Sequence, residues 1–361
     1  MAKRILISGY LGFNNFGDEA LLHILINNLL QVGFRRQDLT VITNNPDKTR
    51  NDYKVNSINR WNQFEIINAL LNNEGIIFIG GLFQDKTSFI GLLYYFFQLY
   101  LAKIFNKEIV FYGAGIGPFQ RSISLNLFNY GISNARSITV RDRTSANLIL
   151  NKAGIQTTCD PVWSIEPDYT FQNQISTINW ELPIVGVTVR NDRFLNHNHL
   201  MDLADKLARV VSGMKDWQIL FIPCMPDQDL SITYELYDLV FSKTPAQDRI
   251  TLVENFSAFP ILQQAGILAS CDVMISMRYH ALLVPLTNGK PVIGLVYDQK
   301  IKSLVEFSNQ LGLSLKDDIN QAWSYFWQNL EYASEMARQA SQKASQLDKI
   351  NIQLLERLLN A

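Results

Sequence analysis

Short apolar runs alternate with longer segments of mixed polarity along most of the chain. The run at residues 75–79 is apolar throughout, as expected for a strand of a parallel sheet that is covered on both faces. The segment at 20–30 instead places its apolar residues at helical spacing. This repeated order of strand and helix predicts an α/β protein with parallel sheets.

The alternation forms two series, which imply two domains with Rossmann-like parallel sheets. The first series predicts strands at 4–8, 39–43, 75–79, 108–112 and 137–140, with helices at 20–30, 64–71, 89–105, 126–135 and 145–152. The second predicts strands at 184–189, 218–222, 250–253, 273–276 and 291–296, with helices at 199–213, 231–241, 259–269 and 279–288. Residues from 301 onward are predicted to be mainly helical, with a break at Gly312. Residues 44–60 are polar and are predicted to form a loop.

Three prolines interrupt the alternation between the two series. Pro161, Pro167 and Pro183 lie in a region without a clear period, which is typical of a linker. The predicted parts are an N-terminal domain at 1–165, a linker at 166–183, a C-terminal domain at 184–335 and a C-terminal helix at 336–361. Ligands of such sheets bind at the carboxyl ends of the strands, so two domains that face each other would place these ends around one cleft.

The composition of the 361-residue chain excludes several classes of protein. With 47% hydrophobic and 18% charged residues, the chain can build large cores and is not disordered. Its 32 basic and 33 acidic residues give a net charge of −1, which does not favour nucleic-acid binding. Three cysteines without a Cys-x-x-Cys motif indicate a reducing compartment. Four histidines without close Cys or Glu partners argue against a structural zinc site.

The sequence predicts a cytoplasmic protein. The apolar run after Arg4 is too short for an export signal and leads into a glycine turn. The most hydrophobic stretch, at 89–105, is interrupted by Gln98 and Lys103 and is shorter than the roughly 20 apolar residues that span a bilayer. We interpret this stretch as a buried helix. The alternative is a peripheral contact at the inner face of the membrane, because the stretch is rich in aromatic residues.

Glycine-rich segments follow several strands of the first series. The first of them carries Gly12, Asn15, Asp18 and Glu19, and its glycines do not match the dinucleotide-binding fingerprint. The two carboxylates fall in the first turn of a helix, where they would compete with a bound phosphate. They are interpreted either as helix caps or as groups aimed at sugar hydroxyls, with Asn14 or Asn15 as a further donor.

The second glycine-rich segment combines a flexible backbone with polar side chains. Gly80 and Gly81 allow the backbone to approach a ligand closely. Gln84 and Asp85 follow in a strongly apolar neighbourhood, which is unusual for residues that serve packing alone. This segment is therefore a second candidate for ligand binding.

A third glycine-rich segment and an arginine complete the candidates of the first series. Gly115 and Gly117 follow a strand as in a phosphate loop, but Pro118 supplies no backbone N–H, so the signal is weak. Arg141 ends a strand, where its guanidinium could bind a carboxylate or a phosphate. The alternative is a surface pair with Asp142 or a helix cap formed by Asp142 or Ser145.

The second series contributes the most informative motif. Arg278 and His280 stand where a strand ends and a helix begins. A lone histidine is more often structural than catalytic, but a cation two residues away and this position favour proton transfer. Lys300 follows another strand end. Together with Arg141, these residues predict a local cationic pocket that suits a small and highly anionic substrate.

These motifs together resemble the polysaccharide pyruvyl transferase family. The matching motifs are Gly9-Tyr10-Leu11-Gly12, Asn15-Phe16-Gly17-Asp18-Glu19-Ala20, Gly80-Gly81-Leu82-Phe83-Gln84-Asp85, Gly113-Ala114-Gly115-Ile116-Gly117-Pro118, Arg141-Asp142 with Ser145, Asp160-Pro161, and Ser276-Met277-Arg278-Tyr279-His280-Ala281. The resemblance runs over nearly the whole chain, and it rests on the order and combination of the motifs. One departure is Ile79, where the family often has a third glycine.

The resemblance implies a fold and a reaction. The fold is two Rossmann-like domains in a glycosyltransferase-B-like arrangement. In the reaction, phosphoenolpyruvate gives its three-carbon unit to two hydroxyls of one sugar, forming a pyruvyl ketal and phosphate. The acceptor is usually a growing surface polysaccharide, often lipid-linked at the cytoplasmic face of the membrane. No metal and no cofactor besides this co-substrate are implied.

The resemblance also implies roles for single residues. His280 takes the position of the general acid that protonates the donor methylene. Arg141 and Lys300 match positions that bind the donor, and Arg278 is added because it is adjacent. We expect the acceptor hydroxyls at Asp18 and Glu19 with Asn15, and we expect Gln84 and Asp85 in support.

Two other functions remain open on the sequence alone. An ordinary nucleotide-sugar-dependent glycosyltransferase would share the architecture, but no acidic residue is placed convincingly for a ribose. A non-catalytic sugar- or phosphate-binding protein would use the cationic pocket for binding and would release no phosphate.

Overall fold

Parallel strand pairing organises the described part of the chain. The computed structural model describes residues 3–86, 88–135, 137–150, 154–193, 195–314 and 320–360. Its strands form a seven-stranded and a six-stranded sheet, and every pairing among these residues is parallel. The predicted α/β class with parallel sheets is therefore confirmed.

The chain divides into two compact units, and each unit holds one sheet. Unit 1 comprises Met1–Phe13, Asp18–Pro161 and Ala344–Ala361, and unit 2 comprises Asn14–Gly17 and Val162–Lys343. A short segment near the N-terminus thus belongs to unit 2, and the C-terminal segment belongs to unit 1.

Unit 1 is built on the seven-stranded sheet. Its strands are β1 (Ile5–Ser8), β2 (Leu39–Thr43), β3 (Asn56–Asn59), β4 (Gly75–Leu82), β5 (Glu108–Ile116), β6 (Ser137–Val140) and β7 (Ile155–Thr157), in the spatial order β3-β2-β1-β4-β5-β6-β7. The helices that follow these strands are α1 (Phe16–Gln31), α2 (Pro46–Tyr53), α3 (Gln63–Asn72), α4 (Phe89–Ile104), α5 (Ser122–Gly131) and α6 (Arg143–Asn147). Aromatic rings fill the space between the sheet and α4 and α5, as in the contact between Phe83 and Phe128 at 5.1 Å between centroids.

Unit 2 is built on the six-stranded sheet. Its strands are β8 (Ile184–Thr188), β9 (Gln218–Phe221), β10 (Ile250–Leu252), β11 (Val273–Ser276), β12 (Val292–Leu295) and β13 (Leu311–Leu313), in the order β10-β9-β8-β11-β12-β13. Its helices are α7 (His197–Gly213), α8 (Pro226–Lys243), α9 (Ile261–Ala269), α10 (Tyr279–Thr287), α11 (Gln299–Ser308) and α12 (Asn320–Gln328), followed by α13 (Leu330–Leu359). Aliphatic residues of β8, β11 and α7 form the centre of its core.

The last turns of α13 are fixed inside unit 1 by a buried asparagine. Asn351 is fully buried, accepts a hydrogen bond from the Thr158 hydroxyl at 2.9 Å and donates one to the Cys159 carbonyl at 3.2 Å. An unpaired amide in this position would be costly. These bonds therefore hold the C-terminal helix against the segment that follows β7.

The prediction of a loop at residues 44–60 is wrong, because this segment contains α2 and β3. Asn45 caps α2 by accepting a hydrogen bond from Lys48 N–H at 3.1 Å, and Pro46 occupies its first turn. The helix buries only Thr49 and Tyr53, and β3 is a short polar edge strand. Elements that bury so little apolar surface carry no hydrophobic period in the sequence.

Other element predictions also differ from the structure. The helix predicted at 145–152 is α6, which begins at Arg143 because Asp142 caps it and accepts from Ser145 N–H at 2.7 Å. Residues 151–152 of that prediction lie outside the described residues. The break at Gly312 lies within β13, and β7 was not predicted, because short edge strands bury few residues.

Candidate active site

Several of the predicted site residues follow the strands at which the strand order of a sheet reverses. In unit 1 the order reverses between β1 and β4, and in unit 2 it reverses between β8 and β11. Parallel sheets bind ligands in the crevice beyond the carboxyl ends of the strands at such a switch point. The glycine segments after β1 and β4 and the motif after β11 are therefore in the positions that the fold provides for a ligand.

The turn after β1 is held by a half-buried carboxylate. Gly12 adopts a positive φ of 80°, and its N–H donates to Oε1 of Glu19 at 2.7 Å. Burial raises the pKa of Glu19 to about 7, although the bond from Gly12 acts in the opposite direction. Glu19 thus combines a structural contact with a proton affinity suited to exchange near neutral pH.

Asp18 lies against the end of β4. Gly80 has a positive φ of 86°, and a Cβ atom added to it would lie 3.1 Å from Oδ1 of Asp18. The neighbouring Gly81 pairs with Gly115 of β5, and its carbonyl accepts from Gln84 Nε2 at 3.2 Å. The structure therefore places Asp18 of the first glycine segment next to Gly80 of the second within unit 1.

Asp85 organises a neighbouring loop. Its carboxylate accepts hydrogen bonds from the N–H groups of Gln120 and Arg121, just before α5. Burial opposes its ionisation, but the bonds from Gln120, Ser124 and Arg121 outweigh burial and hold the pKa of Asp85 below its usual value. The geometry of Asp85 is that of a cap that fixes the segment between Gly117 and α5.

Arg141 is buried and paired with a carboxylate. Its Nη1 donates to Oδ2 of Asp160 at 2.7 Å, and both side chains are almost fully buried. Its Nε lies 3.8 Å from Asp142, which also caps α6. A Cβ atom added to Gly115 would lie 2.8 Å from Nε of Arg141, so this glycine leaves the space in which the guanidinium lies.

His280 lies in the first turn of α10, and its position depends on a glycine. A Cβ atom added to Gly17 would lie within 2.6 Å of three atoms of the His280 ring, so only glycine leaves room for this imidazole. Phe16 N–H donates to the Cys224 carbonyl at 3.2 Å, which anchors the segment that carries Gly17 and the half-buried Asn15 in unit 2. Tyr279 packs edge-on against the imidazole at 5.0 Å.

Arg278 is held by a second buried carboxylate. Its Nε donates to Oδ2 of Asp229 at 3.0 Å, and its Nη2 donates to Oδ1 of the same residue. Asp229 is fully buried and also accepts from Met225 N–H at 3.0 Å. This two-point contact fixes the plane of the guanidinium. Removing either partner would leave an uncompensated buried charge, which costs about 3–5 kcal/mol.

The two buried ion pairs place a negative charge next to each of the predicted arginines. Arg141 and Arg278, which the predicted cationic pocket includes, each face a buried carboxylate of their own unit. The cationic pocket itself stays a prediction. Sequence spacing gave no sign of Asp229, which lies 49 residues from its partner. The assignment of both arginines to donor binding stays a prediction.

Lys300 and Arg190 follow the strands next to β11. Lys300 lies in the first turn of α11, after β12, and is half-buried. Arg190 follows β8 and was missed in the sequence, although it stands two residues beyond a strand end as Arg278 does. Its Nη1 donates to the hydroxyl of Tyr297 at 2.9 Å. Within the described ranges, no cluster of three or more His, Cys, Asp or Glu side chains is placed to hold a metal ion.

The chain matches a family model over most of its length. The model is described as polysaccharide pyruvyl transferase and matches residues 15–299. The chain is also 22% identical over 234 residues to the amylovoran biosynthesis protein AmsJ of Erwinia amylovora. That alignment covers 59% of this chain and 54% of AmsJ, so the chain spans about half the length of this relative. The family predicted from the motifs is therefore confirmed.

Solved structures with the same fold extend over nearly the whole chain. UDP-GlcNAc 2-epimerase from Neisseria meningitidis, bound to UDP-GlcNAc, matches with a TM-score of 0.65 and 12% identity over 99% of this chain and 100% of that one. Anabaena Alr3699/HepE in complex with UDP-glucose matches with a TM-score of 0.61 and 13% identity over 100% of both chains. At this identity the likeness establishes the fold alone. It confirms the predicted class of two Rossmann-like domains of the glycosyltransferase-B-like kind.

We predict that the Gly17→Ala variant displaces the imidazole of His280, because the new methyl group would overlap the ring. The chain has four histidines, so NMR can follow each imidazole, with the His280 resonance assigned from a His280→Gln variant. The matched control is Gly213→Ala, whose added Cβ meets no atom within 4 Å. A His280 resonance that does not move in Gly17→Ala would contradict the contact.

We predict that Glu19 makes the protein less stable as the pH rises from about 4.5 to 7. Its pKa is about 4.5 when exposed and about 7 when folded. The contribution of the protonated form is complete below pH 4.5 and is lost as the pH rises through 7, by on the order of 3 kcal/mol. Urea unfolding at pH 4.5 and pH 8 should show this loss in the wild type and not in Glu19→Gln, whose amide oxygen can still accept from Gly12. The exposed Glu356→Gln is the control, and equal pH dependence of wild type and Glu19→Gln would refute the prediction.

Proposed function

Because the chain belongs to the polysaccharide pyruvyl transferase family, we propose that it transfers the enolpyruvyl unit of phosphoenolpyruvate to two hydroxyls of one sugar. The sugar belongs to a cell-surface polysaccharide or to its lipid-linked precursor. The observation that carries this proposal is His280, which lies against Gly17 at the start of α10 beyond the switch point of its sheet. Both residues lie within the span that the family model matches.

The reaction needs one acid at the donor and balances without an oxidant or a reductant. His280 donates a proton to the methylene carbon of phosphoenolpyruvate, which leaves an oxocarbenium-like centre at the adjacent carbon. One sugar hydroxyl attacks this centre, the carbon–oxygen bond to phosphate breaks, and a second hydroxyl closes the ketal. One of the two hydroxyl protons restores the acid form of His280, and the other protonates the departing phosphate. A positioned acid of this kind contributes about 10²–10⁴-fold.

The donor carries a phosphate and a carboxylate, and we assign its binding to Lys300, Arg141 and Arg278. The Asp160 and Asp229 partners hold the two guanidiniums in fixed orientations. A guanidinium has five N–H donors, so a carboxylate partner does not exhaust its capacity to bind an anion. Lys300 lies one residue beyond the span of the family model.

The acceptor residues of the proposal are Asp18 and Glu19, with Asn15 and Gln84 as further polar contacts. Glu19 is suited to accept a hydroxyl proton near neutral pH, because burial raises its pKa to about 7. Asp85 supports the acceptor side by fixing the loop before α5.

We predict that His280→Gln lowers phosphate release from phosphoenolpyruvate by about 10²–10⁴-fold and leaves donor binding within about threefold of the wild type, because only the acid is lost. Lys300→Met should weaken donor binding instead, since a cation is removed. Phosphate release and calorimetry with phosphoenolpyruvate measure the two effects. We prefer Lys300 to Arg141 for this test, because removing Arg141 would leave Asp160 buried without its partner.

The matched control is His197→Gln, an exposed histidine at the start of α7. Unchanged turnover in His280→Gln would remove this residue from the mechanism. Binding of a nucleotide sugar by a protein that does not bind phosphoenolpyruvate would replace the proposal with a nucleotide-sugar-dependent glycosyltransferase. Binding of phosphoenolpyruvate without phosphate release in the presence of any acceptor would favour a binding protein.

We further propose that an apolar surface of unit 1 contacts an anionic membrane surface. No helix in the described ranges has the length and apolar character that crossing a bilayer requires. The exposed large apolar side chains of α4 and α5, which we call the apolar patch, are Phe89, Ile90, Leu93, Ile104, Ile123, Leu127 and Tyr130. Arg121 and Lys103 lie over rings at its rim, as expected for a surface that meets anionic lipids.

We predict that the double variant Ile90→Asp and Leu93→Asp loses flotation with vesicles that contain anionic lipid, because it places charges in the exposed patch. Phe96 is unsuitable for this test, since it is only 5% exposed and belongs to the core of unit 1. The control is Leu71→Asp, which adds a charge at an exposed leucine of α3. Equal flotation of the double variant and the wild type would rule out the contact.

A further inference from the structure

Arg60 is a buried cation for which the described residues provide no carboxylate partner. It directly follows β3, and its backbone N–H donates to the Thr43 carbonyl at 3.0 Å. The residue is only 5% exposed. In the part of unit 1 that the structure describes, Arg60 takes part in no ion pair, and its Nε and Nη1 lack a hydrogen-bond acceptor. Buried arginines of the same chain, such as Arg141 and Arg278, are each paired with a carboxylate.

Aromatic rings surround the guanidinium where a carboxylate would be expected. The distances from Cζ of Arg60 to the ring centroids are 4.7 Å for Tyr94, 4.8 Å for Phe13, 5.3 Å for Trp61 and 5.5 Å for Tyr10. Such rings attract the positive charge and offset part of its desolvation. They offer no lone pair to the N–H groups, so the guanidinium keeps unused capacity for hydrogen bonds.

Further buried polar groups lie beside the same guanidinium. The hydroxyl of Tyr95 is next to Arg60, and the hydroxyl of Tyr94 is next to Gln98. Oε1 of Gln98 accepts from the Ser8 hydroxyl at 2.5 Å, which leaves the amide Nε2 as a donor. Among the described residues, neither hydroxyl nor this amide nitrogen completes a hydrogen bond of normal geometry. The guanidinium, the amide nitrogen and the two hydroxyls thus lie at one place with hydrogen-bonding capacity that the described residues leave unused.

The position of this cluster in the fold points to a ligand. Ser8 ends β1, Arg60 follows β3, and Tyr10 and Phe13 lie in the turn after β1. All belong to the carboxyl edge of the unit 1 sheet, beside the switch point between β1 and β4. Trp61 is 65% exposed and lines the solvent side of the cluster, so a ligand can approach there.

We propose that Arg60 and its aromatic cage, formed by Tyr10, Phe13, Trp61 and Tyr94, bind an oxyanion carried by a sugar. The oxyanion is the carboxylate of a uronic acid or the phosphate of a glycosyl phosphate. Both groups offer several lone pairs in a plane or a cone that matches the fork of a guanidinium. The proposal rests on the proposed function in one respect, namely that the bound sugar is part of the acceptor. The acceptor is then an acidic saccharide.

The test is calorimetry on the full chain without phosphoenolpyruvate. The probes are methyl glucuronide, methyl glucoside and glucose 1-phosphate. The wild type should bind at least one of the two anionic probes no less than tenfold more tightly than methyl glucoside. Arg60→Gln should abolish this preference, and Tyr94→Phe, which removes only a hydroxyl, should weaken it several-fold and covers the case in which Arg60→Gln does not fold. Arg50→Gln is the matched control, because it removes the charge of an exposed arginine of α2 that is paired with Asp47.

The outcomes distinguish a carboxylate from a phosphate as the bound oxyanion. They also distinguish a failure of the Arg60 site from a failure of the proposed function. An Arg60-dependent preference for methyl glucuronide identifies a carboxylate, and one for glucose 1-phosphate identifies a phosphate. Equal affinity for the anionic and the neutral probes, or a preference that survives both Arg60→Gln and Tyr94→Phe, overturns the proposal. Arg60-dependent binding by a protein that releases no phosphate from phosphoenolpyruvate would remove the proposed function and leave this site standing. If turnover is the same in Arg60→Gln and in the wild type, the proposal for this site is overturned and the proposed function is kept.

Discussion

The position of the functional side chains depends on the absence of a Cβ atom at particular glycines. The His280 ring occupies the space that a side chain on Gly17 would fill, and Arg141 stands in the same relation to Gly115. Asp18 lies close to Gly80 in the same manner, although the positive φ of Gly80 already favours glycine there. A glycine in such a position does not lend flexibility. It lets a charged or titratable group lie directly on the backbone, where close packing limits its orientation.

Buried carboxylates supply the second constraint. Asp160 and Asp229 each hold an arginine that follows a strand end, and both carboxylates are almost completely buried. A buried ion pair contributes little net stability compared with apolar packing, and its best-supported effect is to fix a geometry. The side chains of Arg141 and Arg278 are therefore presented in set directions, at some cost in stability, by partners that themselves do not need to touch a ligand.

Much of the fold could be predicted from the sequence because the central strands are buried on both faces. The strands at 39–43, 137–140 and 273–276 were predicted with their exact bounds, since their runs of β-branched and apolar residues end where the chain leaves the sheet. α2 and β3 were missed because they are polar elements at the edge of a sheet. The site was harder for a different reason. Motifs located His280 and Arg141. Their contacts with Gly17 and Asp160 join residues that are distant in sequence, and the spacing of residues along the chain does not predict such contacts.

The arginines Arg141, Arg278 and Arg60 differ in the groups that surround their guanidiniums, and this difference affects how each can bind an anion. Arg141 and Arg278 have carboxylate partners, and an anion that approaches either of them meets a charge that is already balanced. Arg60 is surrounded by rings, and its Nε and Nη1 are left without a hydrogen-bond acceptor among the described residues. An arginine of the first kind is suited to orient a ligand whose binding energy comes from other contacts. An arginine of the second kind gains most from an anion, because it has the larger unsatisfied hydrogen-bonding capacity. An arginine can thus either orient a ligand or contribute most of its binding energy. Whether a carboxylate or aromatic rings surround the guanidinium decides between these two roles.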